Sequence, residues 1–375
     1  MTPLKFSRIL PLKVRQSLPG FTCPSRQTFL ITGASKQSQL PLKIALMTHK
    51  KCSAIWMQDT FFTKGAKIKD VGHQCIEDYI RPSHEFDMLI MRKTGHICDY
   101  YSHLPQLETS CWIHLGIDLK EISELCRRSP RGMAQAAKLI RRYGMDYEIT
   151  SNEEYFRNSV NTIIYPYLKW RHQGTCIFDN ESVFEHMETT EVLSIIANGE
   201  QVACCTFTRL NESKTIQLNK LGIRMKDGKC PYLNMGAIPA IYYYAAKHFY
   251  EEGYTYLDIG GSRPMLQDPI TSFKLRLGAS ISQRGRIHKE GRMSLYVKNN
   301  SDGLRDTLVG RDLFTNHGEN LTLTRFCDNT REATPKFQSQ QQWYPNKYNI
   351  DAIHLYNFDG ASKHSSDFND LMLKK

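Results

Sequence analysis

A lysine sits inside an apolar helix stripe near residue 274. Ile270, Phe273 and Leu277 recur at the spacing of one helix face, and Lys274 falls within it, four residues after Ile270 and three before Leu277. Such a lysine either snorkels past the edge of a core or points into a pocket, where its charge stabilises an anionic group. Arg263 in the preceding loop and Arg276 at the margin of the stripe would add to that positive site. Upstream, Asp258 alternates onto one strand face with Tyr254 and Tyr256, opposite Leu257 and Ile259. It stands at the strand end, where a switch between helix layers leaves a crevice. Gly260-Gly261-Ser262-Arg263-Pro264 follows directly.

Two further clusters suit phosphate. Asn234-Met235-Gly236-Ala237 opens a helix, whose start offers backbone N–H groups and the positive dipole end; Lys226 and Lys229 lie just upstream. The plain alternative is an ordinary loop. Arg127, Arg128, Arg131, Lys138, Arg141 and Arg142 form a run of cations uninterrupted by any acid. Lys138, Arg141 and Arg142 share a helix face, which is either a solvated surface or a contact for the phosphates of a nucleotide or RNA. No Walker loop, Gly-x-Ser-x-Gly elbow, Rossmann fingerprint or metal-spaced His or carboxylate cluster occurs, so no metal is expected. The eleven cysteines include no Cys-x-x-Cys and read as reduced thiols of a cytoplasmic protein.

These residues need elements to hold them. Met145–Thr150 reads as a strand, and Ser151-x-x-Glu154 as a capping box for a helix with Phe156, Val160, Ile163, Ile164 and Tyr167 on one face, bent at Pro166. Glu191–Ala197 and Gln201–Leu210 form a hairpin through Asn198-Gly199, and Lys214–Ile223 completes an antiparallel meander. A helix carrying Ile238, Ile241, Tyr242, Ala245, Ala246 and Phe249 stops at Gly253. The strand Tyr254–Ile259 comes next, then a helix capped by Asp268-Pro269, then a last strand, Ala279–His288. The order gives an α/β protein with a mixed (α+β) sheet. In residues 41–144, Ile44–Met57, Met88–Arg92 and Cys111–Leu115 read as strands and Gly132–Tyr143 as a helix closed by Gly144.

With 375 residues, 41% of them hydrophobic, the chain can build more than one core; disorder and a disulfide scaffold are excluded. The 49 basic and 38 acidic side chains give a net charge of +11, and the first 58 residues contain no acid. Residues 1–40 therefore read as a basic leader, with organelle targeting as one use, or as a surface arm. Residues 297–375 are polar, with little periodicity beyond Leu321–Phe326, and read as an extension that wraps the surface or frays. No apolar run is long enough to span a bilayer.

Tyr256-Leu-Asp-Ile-Gly-Gly-Ser-Arg-Pro264 followed by Ser272-Phe-Lys-Leu-Arg-Leu-Gly278 resembles the closing strand and helix of GNAT-fold acyltransferases. The likeness is to the Fem-type branch, the aminoacyl-tRNA-dependent peptidoglycan-bridge transferases and related acetyltransferase-like proteins. Arg141-Arg142-Tyr143-Gly144 and Tyr165-Pro-Tyr-Leu-Lys-Trp170 look like the approach to the second unit of that family, and the likeness covers roughly residues 125–290. It implies a GNAT-like unit at 145–296 and a degenerate first copy within 41–144. The implied activity moves an acyl or aminoacyl group from acyl-CoA or aminoacyl-tRNA, a co-substrate rather than a covalently bound cofactor, to an amine. On this resemblance Phe273 and Lys274 match the Phe-Lys pair of the last helix, Lys274 stabilising the oxyanion or holding donor phosphate. Asp258 joins them as a catalytic candidate, Ser262, Arg263, Arg276 and Tyr256 as substrate-binding candidates, and Lys226, Asn234, Gly236 and Ala237 as donor-binding candidates. The pyrophosphate signature of coenzyme-A-binding members is missing around Asn234–Ala237. The alternative is a non-catalytic GNAT-like module binding RNA or an anionic polymer. The enzyme reading expects Lys274→Ala to abolish transfer and leave the melting temperature nearly intact.

Overall fold

A computed structural model describes residues 25–48, 57–58, 60–75, 85–93, 107–110, 112–128, 132–172, 184, 189–282, 292–317, 320–328 and 344–358. Two compact units are discontinuous in sequence: Met1–Glu108 with Arg292–Val309, and Thr109–Gly291 with Gly310–Gly360, each taken over its described residues. These boundaries differ from the contiguous ones expected at 40, 144 and 296.

In unit 1, β1 (Ser25–Ala34) pairs antiparallel with both β2 (Pro41–Met47) and β3 (Lys67–Cys75). Parallel to β2 runs β4 (Met88–Lys93), which pairs antiparallel with β13 (Arg292–Val297). The expected leader is thus corrected in its second half. Phe29 and Ile31 alternate into the core, and Ser25–Ala34 is an inner strand of a mixed sheet. The first 24 residues lie outside the described ones. The expected strand Ile44–Met57 ends at Met47, and Met57 is helical. Helix α7 (Asp302–Leu308) is capped by the Ser301 hydroxyl, which accepts from the Leu304 N–H at 3.2 Å.

Unit 2 is built on a seven-stranded mixed sheet in the order β12-β6-β11-β10-β9-β8-β7. The strands are β6 (Ile113–Asp118), β7 (Asp146–Thr150), β8 (Thr190–Ala197), β9 (Glu200–Leu210), β10 (Thr215–Ile223), β11 (Tyr256–Ser262) and β12 (Ser280–Ile281). β5 (Leu107–Ser110) precedes them across the unit boundary. The meander β8–β9–β10 is antiparallel, as the sequence predicts, and turns at Asn198 (φ 53°) and Gly199 (φ 75°), left-handed positions that suit these two residue types. The capping box is corrected: Asn152, not Ser151, caps the helix, its carboxamide oxygen accepting from the Tyr155 N–H at 2.8 Å.

That helix has three parts, α3 (Glu153–Ser159), a π-helical turn (Val160–Ile164) and α4 (Tyr165–His172). Pro166 explains the break, since it has no N–H to continue the ladder; the preceding Tyr165 N–H reaches five residues back to the Val160 carbonyl. Earlier come α1 (Ile122–Arg128) and α2 (Met133–Tyr143), with Gly144 in the left-handed conformation (φ 57°) ending α2. Helix α5 (Ala237–Glu251) crosses between β10 and β11, and α6 (Pro269–Arg276) follows β11.

The expectation that Ala279–His288 is the last strand and that residues 297–375 only wrap the surface is also corrected. β12 is described over two residues, and residues 283–288 lie outside the described ones. Three strands, β14 (Asp312–His317), β15 (Asn320–Cys327) and β16 (Ala352–Asn357), and α8 (Tyr344–Tyr348) follow in unit 2. Thr315, Thr322 and Thr324 hide this core from a hydropathy reading. All three are buried, and the Thr315 hydroxyl hydrogen-bonds both others, at 2.7 and 2.8 Å.

Candidate functional site

The site is built where β10 and β11 stop pairing. Their parallel ladder covers three residue pairs, Thr215 with Tyr256, Ile216 with Leu257 and Gln217 with Asp258. Beyond it β10 keeps β9 as far as Ile223, and β11 keeps β6 as far as Ser262, but among the described residues they do not pair with each other. Backbone groups along such an edge need partners.

On the β11 side the partner is Lys274. Its ammonium donates to the carbonyls of Ile259 (2.6 Å), Gly260 (3.1 Å) and Gly261 (3.0 Å). Successive strand carbonyls normally alternate in direction, and three converge here because Gly260 is left-handed (φ 77°) within a bulge of β11. Asp258 holds the same bulge, its carboxylate accepting from the Gly260 N–H at 2.8 Å. Lys274 and Asp258 are each only 6% exposed. The buried face of α6 is Thr271, Lys274 and Leu275, while Ile270 and Phe273 are half-buried. The stripe is therefore rotated toward the lysine relative to the sequence reading, because the carbonyls draw the ammonium inward.

The lysine's titration follows from this burial. Desolvation pushes its pKa down to about 8; the Asp258 carboxylate opposes this, the Arg171 guanidinium adds to it, and Asp268 opposes it. Because its folded value is depressed, the native state binds fewer protons than the unfolded chain between about pH 8 and 10.5, so this group adds stability as pH rises through that window. Buried Cys204 and Cys205, whose thiols burial pushes up, oppose it over the same range. The expected result is therefore a difference: relative to Lys274→Met, the wild type gains on the order of 3 kcal/mol between pH 8 and 10.5 in urea unfolding. A pH-independent difference would contradict the burial argument.

In the chain, a loop leads from β10 to the start of α5, where Gly236 faces the Leu139 side chain of α2. No side chain caps it, Gly236 at the cap is left-handed (φ 87°), Pro239 lacks an N–H, and Gly236, Ala237 and Ile238 are buried. A buried, uncapped helix start leaves N–H donors for a ligand. Exposed Asn234 adjoins it, whereas Lys226, placed with it by the sequence, is committed elsewhere. Lys226 is paired with Glu200 at 2.9 Å, and the Tyr232 hydroxyl donates to the same carboxylate at 2.6 Å.

The remaining candidates divide. Ser262 is 1% exposed, and its hydroxyl has no hydrogen-bond partner among the described residues. Tyr256 packs over Gly116, where an added Cβ would collide with the phenol ring. Arg263 pairs at 3.3 Å with Asp268, whose carboxylate also caps α6 through the Ile270 and Thr271 N–H groups. Asp268→Ala is expected to cost about 1–2 kcal/mol in unfolding free energy, and an unchanged urea midpoint would remove this cap from the account. Arg276 is exposed and donates to the Ser272 hydroxyl at 2.9 Å. Half-buried Phe273 packs edge-on against Tyr242 at 5.9 Å.

Sequence reasoning missed Tyr167 and Arg171. Tyr167 is buried, and Arg171, one turn on, donates to its hydroxyl with the guanidinium 5.7 Å from the ring centroid. The signal was present as Tyr-x-x-x-Arg on α4, the spacing that brings two side chains together on a helix. Of the cation run, Arg127 pairs with Glu124 at 2.9 Å, while Lys138, Arg141 and Arg142 are exposed on α2. Arg131 and the Arg128 side chain lie outside the described residues.

No family model and no curated protein matches the sequence. The chain is similar in structure to GNAT-type and Fem-type proteins. FemX matches at 10% identity and a TM-score of 0.37, covering 72% of this chain and 83% of that one. The C-terminal domain of a lysylphosphatidylglycerol synthetase from Agrobacterium fabrum matches at 12% and 0.34, covering 74% and 83%. A GCN5-related N-acetyltransferase from Kribbella flavida matches at 12% and 0.29, covering 68% and 80%. Among the described residues no group of three or more His, Cys, Asp and Glu is gathered as a metal site, and no helix is long and apolar enough to cross a membrane.

Proposed function

We propose that unit 2 is an acyltransferase that moves an acyl or aminoacyl group from a thioester or tRNA ester to an amine at the unpaired β10–β11 edges. The observation that carries this reading is the end of the parallel ladder after Gln217–Asp258, next to which the buried Lys274 ammonium holds the β11 carbonyls; the buried, uncapped α5 start adds free N–H donors. An extended donor arm bearing amides can add itself to the β10 edge as a strand would, and its phosphates suit the N–H groups at Ala237 and Ile238. The reacting carbonyl then lies near the β11 bulge. Lys274 keeps that bulge in shape through three carbonyls and places positive charge beside the developing oxyanion. Asp258 is the carboxylate nearest in sequence to the bulge and the candidate for taking the amine proton, directly or through water. Ser262, Arg263, Arg276 and Tyr256 stand as the acceptor side. In the same reading unit 1 is the degenerate copy.

A panel of acetyl-CoA, longer acyl-CoA species and aminoacyl-tRNA tests it by thermal shift. A donor at 100 times its dissociation constant adds about 2.7 kcal/mol of stability. Stabilisation by one class supports the reading, and none by any class counts against it. A second reading, a non-catalytic module for RNA or another polyanion, is favoured by Lys138 and Arg141, exposed on α2 with no acidic partner among the described residues. It expects binding that weakens steeply with salt and survives Lys274→Met.

A further inference from the structure

We propose that Arg171 and Tyr167 form a binding site for an anionic group, a phosphate or a carboxylate, that the substrate carries. Only the assignment of that group to a substrate rests on the acyl-transfer reading.

Arg171 is exposed in the last turn of α4 and has no carboxylate partner among the described residues. A cation at a helix C-terminus is favoured by the helix dipole alone, and on that ground Arg171 would be an ordinary surface residue. Its orientation argues otherwise. The guanidinium folds back along α4 to donate to the Tyr167 hydroxyl and lies against the Tyr167 ring, so the side chain is already held in one place. Preorganisation of this kind lowers the entropy cost of binding.

The hydroxyl supplies a second observation. The Tyr167 oxygen accepts from Arg171, which leaves its own O–H to donate, and no described residue accepts it although Tyr167 is 1% exposed. A buried donor without an acceptor is costly unless something accepts from it. The remaining N–H groups of Arg171 and the O–H of Tyr167 form a set of donors with no acceptor of their own, which matches the oxygens of a phosphate or carboxylate.

Placement puts this pair at the proposed transfer site. The Arg171 charge acts on the Lys274 ammonium, the Tyr242 hydroxyl and the Cys230 thiol, which come from α6, α5 and the loop that leads to α5. Two cations close enough to repel are stabilised when an anion binds beside them. The π-helical turn fixes the position: it precedes α4, and its backbone sits directly on Gly222 of β10.

Calorimetric titration of the full chain with inorganic pyrophosphate and, separately, with citrate tests the site, the two arms separating phosphate from carboxylate. At least one probe is expected to bind the wild type. Arg171→Gln should weaken it ~10-fold or more and Arg171→Lys less, because a lysine keeps the charge but not the planar fork. Tyr167→Phe should weaken it several-fold while keeping the ring in the core, and it decides the matter if Arg171→Gln fails to fold. Lys64→Gln, at an exposed position of unit 1, should change nothing. No binding of either probe, unchanged affinity in Arg171→Gln and Tyr167→Phe, or an equal loss in Lys64→Gln would overturn the site. Arg171-dependent anion binding without transfer from any donor would keep this site and remove the acyltransferase reading; transfer without such binding would do the reverse.

Discussion

Lys274→Met is expected to lower the unfolding free energy by about 3 kcal/mol and to stop acyl transfer together. Methionine fills nearly the same volume, so loss of packing is small and the effect comes from the ammonium. The carbonyls of Ile259, Gly260 and Gly261 all lose their donor, and the bulge is left to the left-handed Gly260 and the Asp258 carboxylate alone among the contacts described above. Removing the charge also removes its desolvation cost, which is why the loss is about 3 kcal/mol rather than the larger sum of three charge-assisted bonds. Sequence reasoning expects Lys274→Ala to spare the fold and the melting temperature. The three backbone acceptors argue for the opposite outcome, because a lysine whose three donors are taken by backbone is part of the fold. Urea unfolding checks it, and a midpoint equal to the wild type would show that the carbonyls find other partners.

Gly222→Ala is expected to cost about 3 kcal/mol and to weaken anion binding through Arg171. A Cβ at residue 222 would stand 2.5 Å from the Ile164 Cα and 2.8 Å from the Ile163 carbonyl oxygen. Both are backbone atoms of the π-helical turn, so no rotamer change relieves the clash, and β10 or α4 must shift. Gly199→Ala serves as the comparison, since that glycine is left-handed with open space around it and its loss should cost nearer 1 kcal/mol. Equal losses in the two variants would mean that the turn does not rest on Gly222 as described.

The part of the fold legible in the sequence is the part where hydrophobic period and turn chemistry agree. From Asp146 to Ile281 the strand and helix order follows the sequence reading, with Asn198-Gly199, Gly253 and Asp268-Pro269 marking its boundaries. The C-terminal strands were hidden because buried threonines such as Thr315 and Thr322 look polar while satisfying one another. Ser25–Ala34 was hidden by its lack of acids, which suggested a leader although Phe29 and Ile31 alternate as a strand requires. At the site, the odd position of Lys274 in its stripe was visible, but its acceptors were not. Convergence of three carbonyls depends on a bulge and one positive φ, which no side-chain pattern encodes. Lys226 looked available because its partner, Glu200, is distant in sequence and only the β9–β10 pairing brings it near.

Acyl transfer itself is the most direct test. Wild-type protein is mixed with acetyl-CoA, a longer acyl-CoA or aminoacyl-tRNA in the presence of an amine panel, and the amide product is followed by mass. One donor class is expected to yield an amide faster than buffer does, and a Lys274→Met preparation retaining its folded circular dichroism spectrum is expected not to. No amide from any donor, or the full wild-type rate from folded Lys274→Met, would contradict the acyltransferase reading.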